Sequence, residues 1–61
     1  MSYELGKLLI RKKHFKQALN IFSKLLAINS NDLKANFQMG KIFYELNNLQ
    51  KSIIFYEKCN K

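Results

Sequence analysis

The chain has 61 residues, a single cysteine and no proline, so an internal disulfide is excluded and any hydrophobic core must be small. Its composition, 48% hydrophobic and 25% charged, is typical of a globular chain rather than a disordered one. The net charge of +7 favours binding to acidic partners but does not indicate a particular fold. The sequence shows no secretory pattern and no apolar run that could span a membrane, so we expect a cytoplasmic protein with no membrane partner.

The first helix is predicted from about Ser2 to Lys13. Apolar residues recur there at helical spacing, with Leu5, Leu8 and Leu9 forming one stripe. Gly6 lies inside this helix, where glycine costs roughly 1 kcal/mol relative to alanine. We therefore expect a second helix to approach closely at that position.

The second helix is predicted from about Lys16 to Ile28, and the short connection before it forces the two helices to lie antiparallel. Residues 29–32 read Asn-Ser-Asn-Asp, which favours a turn and a helix N-cap. The apolar stripe of this helix consists of Phe15, Ala18, Leu19, Phe22, Leu25 and Leu26.

A third helix is predicted from about Asp32 to Leu46, and a fourth from about Leu49 to the end of the chain. The Asn47-Asn48 pair between them suits a helix stop followed by a new cap. Together the four segments predict an all-α fold. The stripe by which the fourth helix faces its own pair is predicted as Leu49, Ser52, Ile53, Tyr56 and Cys59.

The second half of the chain repeats the first. Gly40 follows Gly6 by 34 residues, and the same offset relates Phe22 to Tyr56. The first unit contains Leu5-Gly6-x-x-Leu9 and Ala18-x₃-Phe22, and the second contains Met39-Gly40-x-x-Phe43 and Ser52-x₃-Tyr56. These motifs and this period resemble the tetratricopeptide repeat family. The resemblance covers one module, residues 1–61, with repeat one at 1–32 and a C-terminally truncated repeat two at 33–61.

The resemblance implies antiparallel helix-turn-helix pairs that stack into an α-solenoid, whose first helices line a concave groove for a peptide or a partner helix. We expect a protein-binding scaffold with a basic and aromatic groove, and an acidic partner whose carboxylates pair with the lysines. The residues that the resemblance assigns to the groove are Tyr3, Lys7, Ile10, Arg11, Lys34, Phe37, Gln38, Lys41, Tyr44 and Glu45.

Enzyme activity, a cofactor and a metal site are not expected. His14 is the single histidine and lies near a helix end, with no nucleophile or carboxylate at a defined spacing. The acidic residues are scattered singly. Cys59 occupies a position where the repeat has a small apolar residue, which favours a structural thiol.

Two alternatives stay open. Arg11, Lys12, Lys13 and Lys16 could contact phosphates, which would make the chain a non-specific RNA-binding protein. The chain could also be an oligomerisation element or part of a longer repeat array. Ile53, Ile54 and Phe55 form an apolar run of which Ile54 and Phe55 lie outside the predicted stripe, so we expect self-association there, by two-fold end-to-end stacking or by a swap through an opened 29–32 turn.

Overall fold

Four helices form two antiparallel pairs in the computed structural model, which describes residues 3–59. Their bounds are α1 (Tyr3–Arg11), α2 (Phe15–Ile28), α3 (Leu33–Glu45) and α4 (Leu49–Cys59). Helix α1 packs against α2, and α3 packs against α4, while α3 also contacts both helices of the first pair. The expected all-α fold with four helices is confirmed, and the predicted start of the first helix at Ser2 lies outside the described residues. None of the helices within residues 3–59 is long and apolar enough to cross a membrane.

The turn inside each pair has the same backbone conformation. Lys13 and Asn47, which are 34 residues apart, have φ angles of 65° and 63°. In the first turn the His14 amide donates to the Leu9 carbonyl at 2.8 Å, and the Lys13 amide donates to the Ile10 carbonyl at 2.9 Å. This is the Schellman arrangement, in which one left-handed residue ends a helix. It explains why α1 ends at Arg11 and not, as the sequence suggested, at Lys13.

The turn between the pairs is held by polar side chains. Asp32 is the N-cap of α3, and its carboxylate accepts hydrogen bonds from the amides of Lys34 and Ala35. The buried amide of Asn36 donates to the carbonyls of Ser30 and Asp32, at 3.2 and 3.0 Å. Opening this turn into a continuous helix would break the cap that the Asp32 carboxylate forms.

The core lies mainly between α2 and α3. It consists of the buried residues Ala18, Phe22, Ala35, Met39 and Ile42. Both glycines contact the second helix of their own pair, as expected: a Cβ on Gly6 would meet the Phe22 ring, and one on Gly40 would meet the Tyr56 ring. The hydroxyl of Ser52, which is buried, donates to the Gly40 carbonyl at 2.8 Å and so joins α4 to α3.

Two predicted helix faces differ from those observed. On α1, Leu9 packs against the core, whereas Leu8 remains 49% exposed. On α4, the assignments of Ile53 and Phe55 are wrong: Ile53 is 55% exposed, and Phe55 stacks on Phe43 of α3 with ring centroids 5.6 Å apart. The reason is that α4 meets α3 through Ser52, Phe55 and Cys59, so the observed face includes Phe55 and leaves Ile53 outside.

Candidate functional site

Tyr3, in the first turn of α1, joins the two repeats. Its hydroxyl accepts a 3.2 Å hydrogen bond from Nε2 of Gln38 on α3, and its ring meets Phe22 of α2 edge-on at 5.7 Å between centroids. Gln38 is only 8% exposed, so the hydroxyl of Tyr3 is bonded to a buried amide group. We use the name groove face for five residues on the first helices of the two repeats, α1 and α3: Tyr3, Lys7, Lys34, Phe37 and Lys41.

Two lysines from different repeats lie over the ring of Tyr3. The Nζ atom of Lys7 is 5.2 Å from the ring centroid and that of Lys34 is 6.0 Å away. Both distances fall within the range of cation–π attraction. Lys7 also forms an exposed ion pair with Glu4 at 3.8 Å, an interaction that contributes little at a protein surface. The arrangement places two positive charges beside one aromatic ring, each accessible to a carboxylate from outside.

Further along α3 the groove face becomes more apolar. Phe37 is 47% exposed and contacts the ring of Tyr56 on α4 at 5.5 Å between centroids. Tyr44, one helical turn beyond Lys41, is also exposed. The pair Phe37–Tyr56 is equivalent to the pair Tyr3–Phe22, thirty-four residues earlier. The hydroxyl is on the first helix in repeat one and on the second helix in repeat two. The aromatic packing of the repeat is therefore preserved while its polar atom differs between the units.

Three further residues were assigned to the groove: Ile10, Arg11 and Glu45. Ile10 is half-buried and packs against the core. Arg11 and Glu45 are exposed at the C-terminal ends of α1 and α3, where they occupy equivalent positions of the two repeats. Of the ten residues assigned from the sequence, the structure thus brings Tyr3, Lys7, Lys34 and Gln38 together as one cluster.

The other chemistry-bearing residues are spread apart. Arg11, Lys12, Lys13 and Lys16 are exposed around the first turn, and His14 is exposed among them. The thiol of Cys59 donates to the carbonyl of Leu33 at 3.3 Å, which ties the end of α4 to the start of α3. Within residues 3–59, no group of three His, Cys, Asp or Glu side chains could hold a metal ion.

A second aromatic and cationic cluster was missed by the sequence reasoning. Lys51 and Lys58 of α4 lie over the stacked rings of Phe43 and Phe55, with Nζ atoms 5.3 and 5.2 Å from the respective centroids. The spacing of Phe55 and Lys58 on one helix face was an available signal. It was overlooked because Phe55 was assigned to the solvent side of α4.

The comparison with known families agrees with this geometry. A model of the tetratricopeptide repeat matches the chain twice, at residues 1–32 and at residues 33–61. Searches of curated proteins and of solved structures return no match. Repeats of this kind generally serve as protein–protein interaction modules. The two matches cover the chain, and the helices described within residues 3–59 form two pairs, so this protein belongs to the tetratricopeptide repeat family.

Proposed function

We propose that the groove face binds an acidic peptide segment or an acidic helix of a partner protein. The observation that carries the proposal is the convergence of Lys7 and Lys34 on the ring of Tyr3. Two ammonium groups from different repeats can pair with one or two carboxylates of the partner, while an apolar group of the partner packs beside the ring. The groove face would then act only when both repeats are folded and in contact.

Charge and exposure support the proposal. Phe37 and Tyr44 expose about half of their surface, and exposed aromatic residues beside cations are common at interaction sites. The net charge of +7 attracts an acidic partner from a distance. The ion pair between Lys7 and Glu4 is no obstacle, because an exposed pair is readily exchanged for a partner carboxylate.

The test uses short fluorescein-labelled peptides that contain aspartate, glutamate and one leucine or phenylalanine, beside peptides in which lysine replaces each acidic residue. Binding is followed by fluorescence anisotropy for the natural chain and for the double variant Lys7→Glu/Lys34→Glu. The matched control is Lys16→Glu/Lys24→Glu, which makes the same charge change at two exposed positions of α2. We expect the first variant to weaken acidic-peptide binding at least about tenfold and the control to weaken it much less.

Equal losses in the two variants would show that net charge alone attracts the peptide, and the groove face would not be the site. A labelled single-stranded RNA serves as the second probe. Should RNA bind more tightly than every acidic peptide, and should Lys12→Glu/Lys16→Glu abolish that binding, the basic turn would be the functional surface instead.

A further inference from the structure

The joint between the two repeats shows how one unit stacks on the next. Phe15 and Leu19 of α2 pack against the buried cluster to which Met39 and Ile42 of α3 belong. Ile42 is completely buried there. Because α2 and α3 are in contact, we assign two halves to this joint: Phe15 and Leu19 on the second helix of one unit, and Met39 and Ile42 on the first helix of the following unit.

Each half of the joint occurs once more in the chain, displaced by the repeat period and exposed. On α4, Leu49 and Ile53 occupy the positions equivalent to Phe15 and Leu19, and they are 50% and 55% exposed. We call these two residues the trailing face. In repeat one, α3 covers the equivalent residues Phe15 and Leu19. Within residues 3–59, no helix covers the trailing face in the same way.

At the opposite end, α1 carries the complementary half. Leu5 and Leu8 are equivalent to Met39 and Ile42, but Leu8 is 49% exposed where Ile42 is fully buried. We call Leu5 and Leu8 the leading face. The chain therefore presents both halves of its own internal joint, at opposite ends of the fold.

We infer that a second copy of this chain docks its leading face on the trailing face of the first, so that copies associate head to tail. The occupant is a second copy because one chain supplies both halves with apolar residues, at the positions that the fold already uses once. The contact is heterologous, and repeated addition builds an open assembly rather than a closed dimer. A two-fold contact of α4 with α4 would use no packing that occurs inside the fold.

The register also identifies which residue of the apolar run takes part. Ile54 is 52% exposed, as accessible as its neighbour Ile53. Its equivalent in repeat one, however, is Asn20, which is polar and exposed in spite of the joint beside it. Ile54 therefore lies outside the contact. This gives a matched control, because non-specific association of apolar surface would involve both isoleucines equally.

The experiment measures the mass of the 61-residue chain by sedimentation velocity over a wide range of concentration. We expect a concentration-dependent series of oligomers that grows when salt is raised, because identical copies each carrying +7 repel one another until the charge is screened. Ile53→Lys and Leu8→Lys should each weaken association at least about tenfold, and Ile54→Lys should change it little. Circular dichroism checks that each variant keeps its helices.

Mixing provides the decisive measurement. Ile53→Lys retains an intact leading face, and Leu8→Lys retains an intact trailing face, so the two variants together should form a one-to-one dimer that does not grow further.

Three outcomes would overturn the inference. One is a natural chain that stays monomeric at every concentration and salt. Another is a Leu8→Lys variant that associates as the natural chain does, which would indicate a two-fold contact through α4. The third is an Ile54→Lys variant as impaired as Ile53→Lys.

Discussion

Gly6 of α1 lies directly against the ring of Phe22 on α2. A Cβ built on Gly6 would stand 2.6 Å from Cζ and 2.7 Å from Cε2 of that ring. Phe22 is completely buried, so the ring cannot relieve the contact by moving into solvent. The absence of a side chain at Gly6 is therefore what allows the helices of the first pair to approach.

We predict that Gly6→Ala destabilises the fold by about 1–2 kcal/mol. The methyl group overpacks the contact with Phe22, and this loss exceeds the roughly 1 kcal/mol that alanine gains over glycine in a helix interior. The midpoint of thermal unfolding, followed by circular dichroism, should fall by roughly 4–8 °C for each kcal/mol lost in a domain of this size. Gly6→Leu should be worse still.

Gly40→Ala is the matched control for that variant. Its Cβ would meet the Tyr56 ring at 2.8 Å, but Tyr56 is only partly buried and can shift toward solvent. We expect a much smaller change in stability. The double variant Gly6→Ala/Phe22→Leu should recover part of the loss, because the two residues are coupled. Unaltered stability of Gly6→Ala would show that the helices of the first pair are not in close contact.

Replacing Lys13 by glycine is expected to stabilise the protein by about 1 kcal/mol. Lys13 has a φ angle of 65°, a left-handed conformation that costs an L-residue roughly 1–2 kcal/mol and glycine almost nothing. The greater freedom of glycine in the unfolded chain offsets part of this gain. The measurement is the free energy of unfolding from urea titration.

Two variants separate this effect from the loss of a positive charge. Lys24→Gly removes the same charge in the interior of α2 and should destabilise by roughly 1 kcal/mol. Asn47→Gly, at the equivalent left-handed position, should stabilise less than Lys13→Gly, because asparagine tolerates this conformation better than lysine does. A loss of stability in Lys13→Gly would contradict the prediction.

Stability should decline at alkaline pH in part because of Tyr56. Burial raises the pKa of its phenol above the ordinary value of 10.0, and the negative charges of Tyr44, Cys59 and Glu45 raise it further. The fold thus favours the neutral phenol. The stabilising contribution is complete below pH 10.0, the pKa in the unfolded chain, and is lost as the pH rises through the folded pKa.

Comparison with Tyr56→Phe isolates this contribution, because the variant differs from the natural chain only in the phenol hydroxyl. We expect the unfolding midpoint of the natural chain to fall more steeply above pH 10 than that of the variant. Ultraviolet titration should show a tyrosine ionisation above pH 10 that is absent from Tyr56→Phe. Parallel stability curves for the two proteins would show that Tyr56 ionises equally well in the folded state.

The helices and their pairing were predictable from the sequence, because they depend on residues that are near one another in the chain. Helical spacing of apolar residues located each segment, and the short turns required antiparallel pairs. The 34-residue period then related Gly6 to Gly40 and indicated the close approach that the structure contains. Asp32 was predicted to lie in a helix cap, and it is the N-cap residue of α3.

Only the tertiary structure decided which apolar residues are covered. A helix in a repeat array contacts neighbours on two sides, so its apolar stripe is wide and the sequence does not show where each neighbour lies. The sequence therefore predicted Ile53 on the packed face of α4 and Phe55 outside it. In the structure Ile53 is exposed and Phe55 stacks on Phe43. The same applies to the polar residue Gln38. Its buried side chain bonds to Tyr3, which is thirty-five residues away in the chain and lies on α1.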